Sequence, residues 1–296
     1  MKKILLVLVT LFMLTPAHAG AAGPQTIAEL EVGYKFQRPR HIKDSLELIS
    51  DEMMLMIAPE ASRFYSVKTQ FYDSLAASPG GQELINDLLM KAINGNALIV
   101  DQVRNDSEGK PVISVSLSSS AKNSMPTRGV TTSVFKYPEE SRMQVVDIYP
   151  GRNETYFTYD MAMDELKWIP GDSTAVVLGY ECQSASADYH GRRWNVLFTP
   201  DIAVSEGPWQ LCGLPGLILK AESEGGEYIF TATGIREIKE PLLQIPGDPV
   251  LEKISRKEFL RMSADIIRDP GIAVGIPNAT PPRKIFHDLL ETDYHD

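Results

Sequence analysis

The chain has 296 residues, 43% of them hydrophobic and 23% charged, the balance of a globular protein rather than of a disordered or membrane-embedded one. Its 29 basic and 39 acidic residues give a net charge of −10, which repels a phosphate backbone and argues against nucleic-acid partners. Only two cysteines are present, too few for a disulfide-dense scaffold.

In chain order, Lys2 and Lys3 precede an apolar run, Ile4 to Leu14, interrupted only by Thr10. Pro16 breaks the run, and Ala17-His18-Ala19 has the small-x-small form of a processing site. This predicts a secretory signal peptide over residues 1–19, cleaved before Gly20, and a periplasmic or outer-envelope location. The run is roughly half the ~20 residues that a bilayer-spanning helix needs. No later run reaches that length, so no membrane-spanning segment is expected in the mature chain. Residues 20–296 are expected as one domain, because no repeat, low-complexity tract or long linker divides them.

Val32, Tyr34 and Phe36 alternate with Glu31, Gly33, Lys35 and Gln37, the period of a strand with one buried face, which Pro39 is expected to end. Leu46 to Ala58 reads as the next strand or strands, stopped by Pro59. The Met53, Met54 and Met56 cluster within it reads as core filling. A helical insertion is predicted over residues 66–94, with Ser66 capping one helix and Ser78-Pro79 opening a second. Leu84, Ile85, Leu88, Leu89 and Ile93 form the apolar stripe of that second helix.

Residues 111–239 are β-rich. Ile113, Val115 and Leu117 alternate with serines, and Thr132 to Tyr137, Met143 to Tyr149 and Ala175 to Tyr180 are strand runs. Trp194, Val196 and Phe198 share one face of another strand, and Gly225-Gly226 turns between two more. Short strands joined by turns predict an antiparallel sheet rather than βαβ units. A C-terminal helix over 256–268 starts at the capping box Ser255-Arg256-Lys257-Glu258 and ends at Asp269-Pro270-Gly271. The fold class is therefore α+β and mainly antiparallel β.

Cys182 and Cys212 both lie in the exported part, where an oxidising compartment favours a disulfide between them; two free buried thiols are the alternative. No catalytic or cofactor motif is found: Gly-x-Ser-x-Gly, His-Glu-x-x-His and glycine-rich phosphate loops are all missing. Ser119-Ser120-Ala121-Lys122 contains Ser-x-x-Lys in a polar loop, where it reads as accidental. His190, in Asp188-Tyr189-His190-Gly191, reads as an exposed hairpin-turn residue, and Arg192 and Arg193 as members of structural ion pairs. His287 and Glu291, among Asp288, Asp293, His295 and Asp296, have types that suit zinc, but a fraying acidic tail is the stronger expectation, so no metal site is assigned. Asp44-Ser45-Leu46, Asp73-Ser74-Leu75 and Asp172-Ser173-Thr174 match an O-glycosylation pattern of some exported bacterial proteins.

One segment stands apart: Gly207-Pro208-Trp209-Gln210-Leu211-Cys212-Gly213-Leu214-Pro215-Gly216-Leu217-Ile218. Leu214 to Leu217 fits a type II turn, with Pro215 presetting φ and Gly216 supplying a positive one. Gly213 suits a close backbone approach. The segment resembles the signature of the GLPGLI family of exported bacterial proteins, whose name Gly213 to Ile218 spell. Gly179-Tyr180-Glu181-Cys182-Gln183, Gly191-Arg192-Arg193 and Phe198-Thr199-Pro200-Asp201-Ile202 resemble the surrounding blocks of that family, and Phe64-Tyr65-Ser66 and Leu166-Lys167-Trp168 resemble weaker upstream ones. Ala203-Val204 departs from the pattern, where a proline is expected after Ile202.

The resemblance implies a strongly curved, half-barrel-like antiparallel sheet with helices against it, the shape of a periplasmic carrier. It implies export but no particular chemistry. The function expected is non-catalytic binding of an apolar or peptidic ligand, or docking on an outer-membrane transporter; the alternative is a hydrolase whose site the sequence does not reveal. The candidate binding residues are Arg192, Trp194, Trp209, Gly213, Leu214, Pro215, Gly216, Leu217 and Ile218. A rigid corner that fixes the sheet is the competing role for Gly207, Pro208 and the rest of that segment.

Overall fold

The computed structural model describes residues 26–42, 45–93, 98–105, 111–117, 126–149, 155–268 and 289–293. Strands β1 (Ile27–Ile42), β2 (Ser45–Ile57) and β3 (Ser62–Ser66) come first, then helices α1 (Val67–Ala77) and α2 (Gly81–Ile93). Strands β4 (Leu98–Asn105) and β5 (Pro111–Leu117) pair only with each other. There follow β6 (Ser133–Tyr137), β7 (Arg142–Tyr149), β8 (Thr155–Ala162), β9 (Ile169–Val177), β10 (Tyr180–Tyr189), β11 (Arg192–Thr199), β12 (Leu217–Ser223), β13 (Ile229–Pro241), β14 (Leu251–Lys253) and helix α3 (Arg256–Arg268).

Twelve of these strands form one open sheet in the order β14-β8-β7-β6-β3-β2-β1-β13-β12-β11-β10-β9. Every neighbouring pair is antiparallel except β14 with β8. The fold is thus mostly β with few helices. β1 is the hinge of the layout: it pairs β2 on one side and β13 on the other. β2, β3, β6, β7 and β8 build one wing from it, with β14 added at the far edge, and β9 to β13 build the other. Among the described residues no helix is long and apolar enough to cross a membrane.

The period-2 pattern determines which face is buried. Val32, Tyr34 and Phe36 are buried, and Val32 and Tyr34 lie opposite Leu55 and Met53 of β2. A one-residue slip would expose this whole set. From the second wing, Phe230 stacks on Phe36 with ring centroids 4.3 Å apart, Phe64 meets Phe230 edge-on, and Trp194 tilts against it. Offset and edge-on aromatic pairs of this kind each add about 0.5–1.5 kcal/mol beyond their buried area. Met53 belongs to this core and Met56 to a second, smaller cluster with Ala28, Ala61, Tyr65, Ile238 and Leu242, so both fill core space as expected.

Four local expectations need correction. Pro39 does not end β1, which continues to Ile42. Pairing with β13 stops at Gln37, so Pro39 sits where β1 has a single neighbour and a missing N–H is tolerated. Ser66 does cap α1, accepting from Thr69 N–H, but Ser78 closes α1 instead of opening α2: its hydroxyl donates to the Leu75 carbonyl at 2.7 Å, and α2 begins at Gly81. The run Ala175 to Tyr180 is split by a two-residue hairpin turn at Leu178-Gly179, both with positive φ, the backbone twist favoured between antiparallel strands. The β4 strand lies upstream of the expected start of the β-rich region. In α3, Glu258 N–H donates to the Ser255 hydroxyl, as its capping sequence predicts.

Candidate functional site

The loop joining β11 to β12, residues 200–216, folds back on itself through backbone hydrogen bonds. Gly213 N–H donates to the Ser205 carbonyl, Leu217 N–H to Ile202 and Ile218 N–H to Glu206. The motif does not form a type II turn. Gly216 N–H instead donates to the Leu214 carbonyl at 2.8 Å, closing a three-residue turn over Pro215. Gly216 has φ 154°, and a Cβ there would lie 2.1 Å from the Thr199 carbonyl oxygen, so glycine is needed for close approach to the end of β11. At Gly213 a Cβ would find room, its nearest neighbour being 3.7 Å away; glycine serves there for its φ of 93°. Trp209 also has positive φ, 52°, costly for a bulky residue. Its ring is buried between Trp194 and Tyr189 at centroid distances of 5.6 and 5.9 Å.

The loop is anchored to the other wing by a buried ion pair. Lys136 on β6 is fully buried, and its ammonium donates to Glu206 Oε2 at 2.8 Å, the Gly207 carbonyl at 2.8 Å and the Leu211 carbonyl at 3.4 Å. All three of its protons are thereby used. Glu206 Oε1 accepts from the Ser62 hydroxyl of β3 at 2.8 Å. Tyr34 of β1 donates to the Ile218 carbonyl at 2.6 Å, and Trp168 Nε1 to the Cys212 carbonyl at 2.7 Å. These bonds hold loop residues 206–213 at a fixed distance from β3 and β6.

Beside the held loop is a cavity of about 460 Å³, within the ~300–1,000 Å³ range of small-molecule sites. Leu30, Ile57, Met163 and Val204 supply apolar wall, Cys212 and Gly213 bring the motif to it, and Glu206 is its buried carboxylate. Burial pushes the Cys212 thiol up to about 11, with Lys136 only partly offsetting this. Burial thus favours the neutral thiol at the cavity wall.

Of the candidate binding residues, Gly213 lines this cavity. Trp194, Trp209, Leu214, Leu217 and Ile218 are buried in the main core, Gly216 meets the Thr199 backbone, and Pro215 is exposed. Arg192 holds the chain's last described segment: its guanidinium donates to the Leu289 and Leu290 carbonyls at 2.9 Å, pairs with Glu227 and lies over the Tyr228 ring. Sequence reasoning missed Lys136 and Glu206. The available signal was Lys136 two residues after Val134, on the apolar face of its strand.

A second polar cluster corrects the reading of the histidines and the tail. His190 does occupy a hairpin turn, but it is buried, with Nδ1 3.1 Å from Asp293. Residues 289–293 dock against it: Thr292 N–H donates to the His190 carbonyl, Gln210 to Glu291, and Arg256 of α3 to both Glu291 and Asp293. This part of the tail is clasped because its carboxylates meet a half-buried guanidinium. His190, Glu291 and Asp293 lie close enough together to share a metal ion, but Arg256 already supplies the positive charge between the two carboxylates. His287, the tail residues 294–296 and the Ser-x-x-Lys segment lie outside the described residues.

The cysteines form no disulfide. Cys182, near the start of β10, directs its sulfur toward the Tyr180 carbonyl, whereas Cys212 sits in the loop near Lys136 and Glu206; both are buried free thiols. Ser74 and Ser173 are exposed, on α1 and β9, and Ser45 starts β2.

No family model matches the chain, and no curated protein matches it. Among solved structures it is similar to PNGF-II in two crystal forms, each at 12% identity and a TM-score of 0.46 over 79% of this chain. The chain spans about a third of the length of that protein, 33% and 32% in the two forms.

Proposed function

We propose that this chain is an exported GLPGLI-type envelope protein that binds an apolar ligand without transforming it, and that the binding site is the cavity bounded by the β11–β12 loop. The observation that carries this reading is the cavity itself: a largely apolar space of about 460 Å³ whose loop wall is held in place by the Lys136–Glu206 pair. A preformed apolar pocket with few polar groups is the usual form of a small-molecule site. The motif then has a mechanical role: Gly213 and Gly216 shape the loop, Trp209 anchors it, and Cys212 and Gly213 face the ligand.

The half-barrel curvature of the sheet belongs to the same reading. β6 and β12 are five strand steps apart, about 24 Å in a flat sheet, yet the loop entering β12 touches Lys136 of β6. Docking on a transporter is kept as a second reading because β9 is an edge strand with exposed Ile169 and Val176, a place where a partner's strand can be added.

The test is titration of the purified protein with N-phenyl-1-naphthylamine, a neutral apolar fluorophore, against the Ser205→Trp variant. Ser205 is an exposed residue of the cavity wall, so the indole fills the space without disturbing the core. Saturable fluorescence enhancement lost in the variant supports the reading. Equal enhancement by both proteins, or none by either, refutes it.

A further inference from the structure

The cavity's polar groups are strongly one-sided. Among the described residues that line it there are three carboxylates, Glu29, Asp164 and Glu206, and no lysine, arginine or histidine. Glu206 is already neutralised by Lys136, which leaves Glu29 and Asp164, both exposed, at the mouth. Glu29 stands there because of the backbone: it falls at the register shift between Ala28 and Leu30, and β2 pairing ends at Leu30–Ile57, so it lies beyond the last rung. Asp164 is presented by the short helical turn Met163–Glu165 after β8.

Much of the backbone donor capacity of the same wall is already used. The backbone N–H groups of Ala58, Ser141, Met163, Val204, Glu206 and Gly213 are all spent on carbonyls within the protein. Pro59 and Pro138, which also line the cavity, have no N–H to offer. Two cations lie near the mouth, one of them beside Asp164 itself and so reducing the field there. Lys167 directs its ammonium to the Asp164 backbone carbonyl at 2.7 Å, and Arg142 is held by Glu140 and Asp160. An anionic head group would meet carboxylates, with the Ser141 and Ser205 hydroxyls as the neutral side-chain donors of the wall. A head group carrying protons and positive charge would meet acceptors and an attractive field, reinforced by the net charge of −10.

We infer that the ligand is a cationic amphiphile: an apolar chain or ring system that fills the cavity, with an ammonium-type head group between Glu29 and Asp164. This rests on the cavity being a binding site, and the experiment separates the two claims. Displacement of N-phenyl-1-naphthylamine is measured at pH 7 with decylammonium, decanol and decyl sulfate, each below its micellar range. Decylammonium is expected to displace at about tenfold lower concentration than decyl sulfate at low salt. In Glu29→Gln/Asp164→Asn that ratio falls to within about twofold, while decanol displaces as before, which also reports that the cavity is intact. Displacement by decanol with no preference between the charged heads, or a preference untouched by the double substitution, overturns the inference alone. Failure of all three to displace overturns the cavity reading and this inference with it.

Discussion

Lys136→Met removes the ammonium that holds the loop and keeps most of the side chain's apolar length. Two consequences follow from the geometry. Glu206, 5% exposed, is left with a single partner, the Ser62 hydroxyl. The Gly207 and Leu211 carbonyls lose a buried donor. Breaking a buried ion pair on one side costs about 3–5 kcal/mol, because an uncompensated charge stays behind, and each orphaned carbonyl adds about 1–3 kcal/mol where water does not reach it. Loop relaxation offsets part of this, so we expect a loss of about 4 kcal/mol, a fall of roughly 1.3 M in the urea midpoint if the slope is near 3 kcal/mol/M. Equilibrium urea unfolding followed by tryptophan fluorescence reads it, since Trp194 and Trp209 both lie in the affected core. In the double variant Lys136→Met/Glu206→Gln the buried charge is gone, and the total loss should fall at least 2 kcal/mol short of the sum of the single losses. A single-variant loss under about 1 kcal/mol, or additive losses in the cycle, would falsify the claim that this pair holds the loop.

Three further outcomes are expected. Gly216→Ala drives a methyl into the Thr199 carbonyl and should cost several times what Gly225→Ala costs; that site has open space and only a positive φ to strain, about 1 kcal/mol. Similar losses on thermal melting would reject the close-approach argument. Cys182 and Cys212 should be unreactive to a thiol reagent in the native protein, and two thiols should titrate in guanidinium without reductant; no thiol on denaturation would mean that they are bonded to each other. Burial, aided by the Arg256 charge, lowers the His190 pKa to about 4 from the ordinary 6.5. The folded state thus binds fewer protons than the unfolded one between these values, so stability is intact above pH 6.5 and falls as pH drops toward 4. The loss attributable to His190 is roughly 2–3 kcal/mol. Glu291, whose pKa burial raises, acts in the opposite sense and blunts the fall. His190→Asn, which tolerates the positive φ, should flatten the profile between pH 6.5 and 4.5; an unchanged slope would show that another group is responsible.

The strands that alternate were legible because one of their faces is packed. Val32, Tyr34 and Phe36, and Trp194, Val196 and Phe198, are buried as their spacing predicts. The capping residues Ser66 and Ser255 were legible because a cap is a local bond. What the sequence hid is non-local. The order of the sheet places β13, more than 180 residues away, beside β1, and no pattern within either strand specifies that neighbour. Pro39 misled because its penalty depends on whether a second strand lies alongside. His190 and Glu291 looked like surface residues because each is buried by a segment about 100 residues distant. At the site the motif announced the loop, but its surroundings, Lys136, Ser62 and the mouth carboxylates, come from four other elements. Only Lys136, a charge at an inward strand position, left a local trace.

In the proposed function an apolar ligand sits beside the β11–β12 loop. Photo-cross-linking with a benzophenone-bearing alkyl chain, followed by peptide mapping, tests it directly. We predict adducts concentrated on the strand end near Ile57, the turn at Met163 and loop residues 204–213, all suppressed by Ser205→Trp. Adducts spread over the sheet face, or unaffected by that substitution, would contradict it.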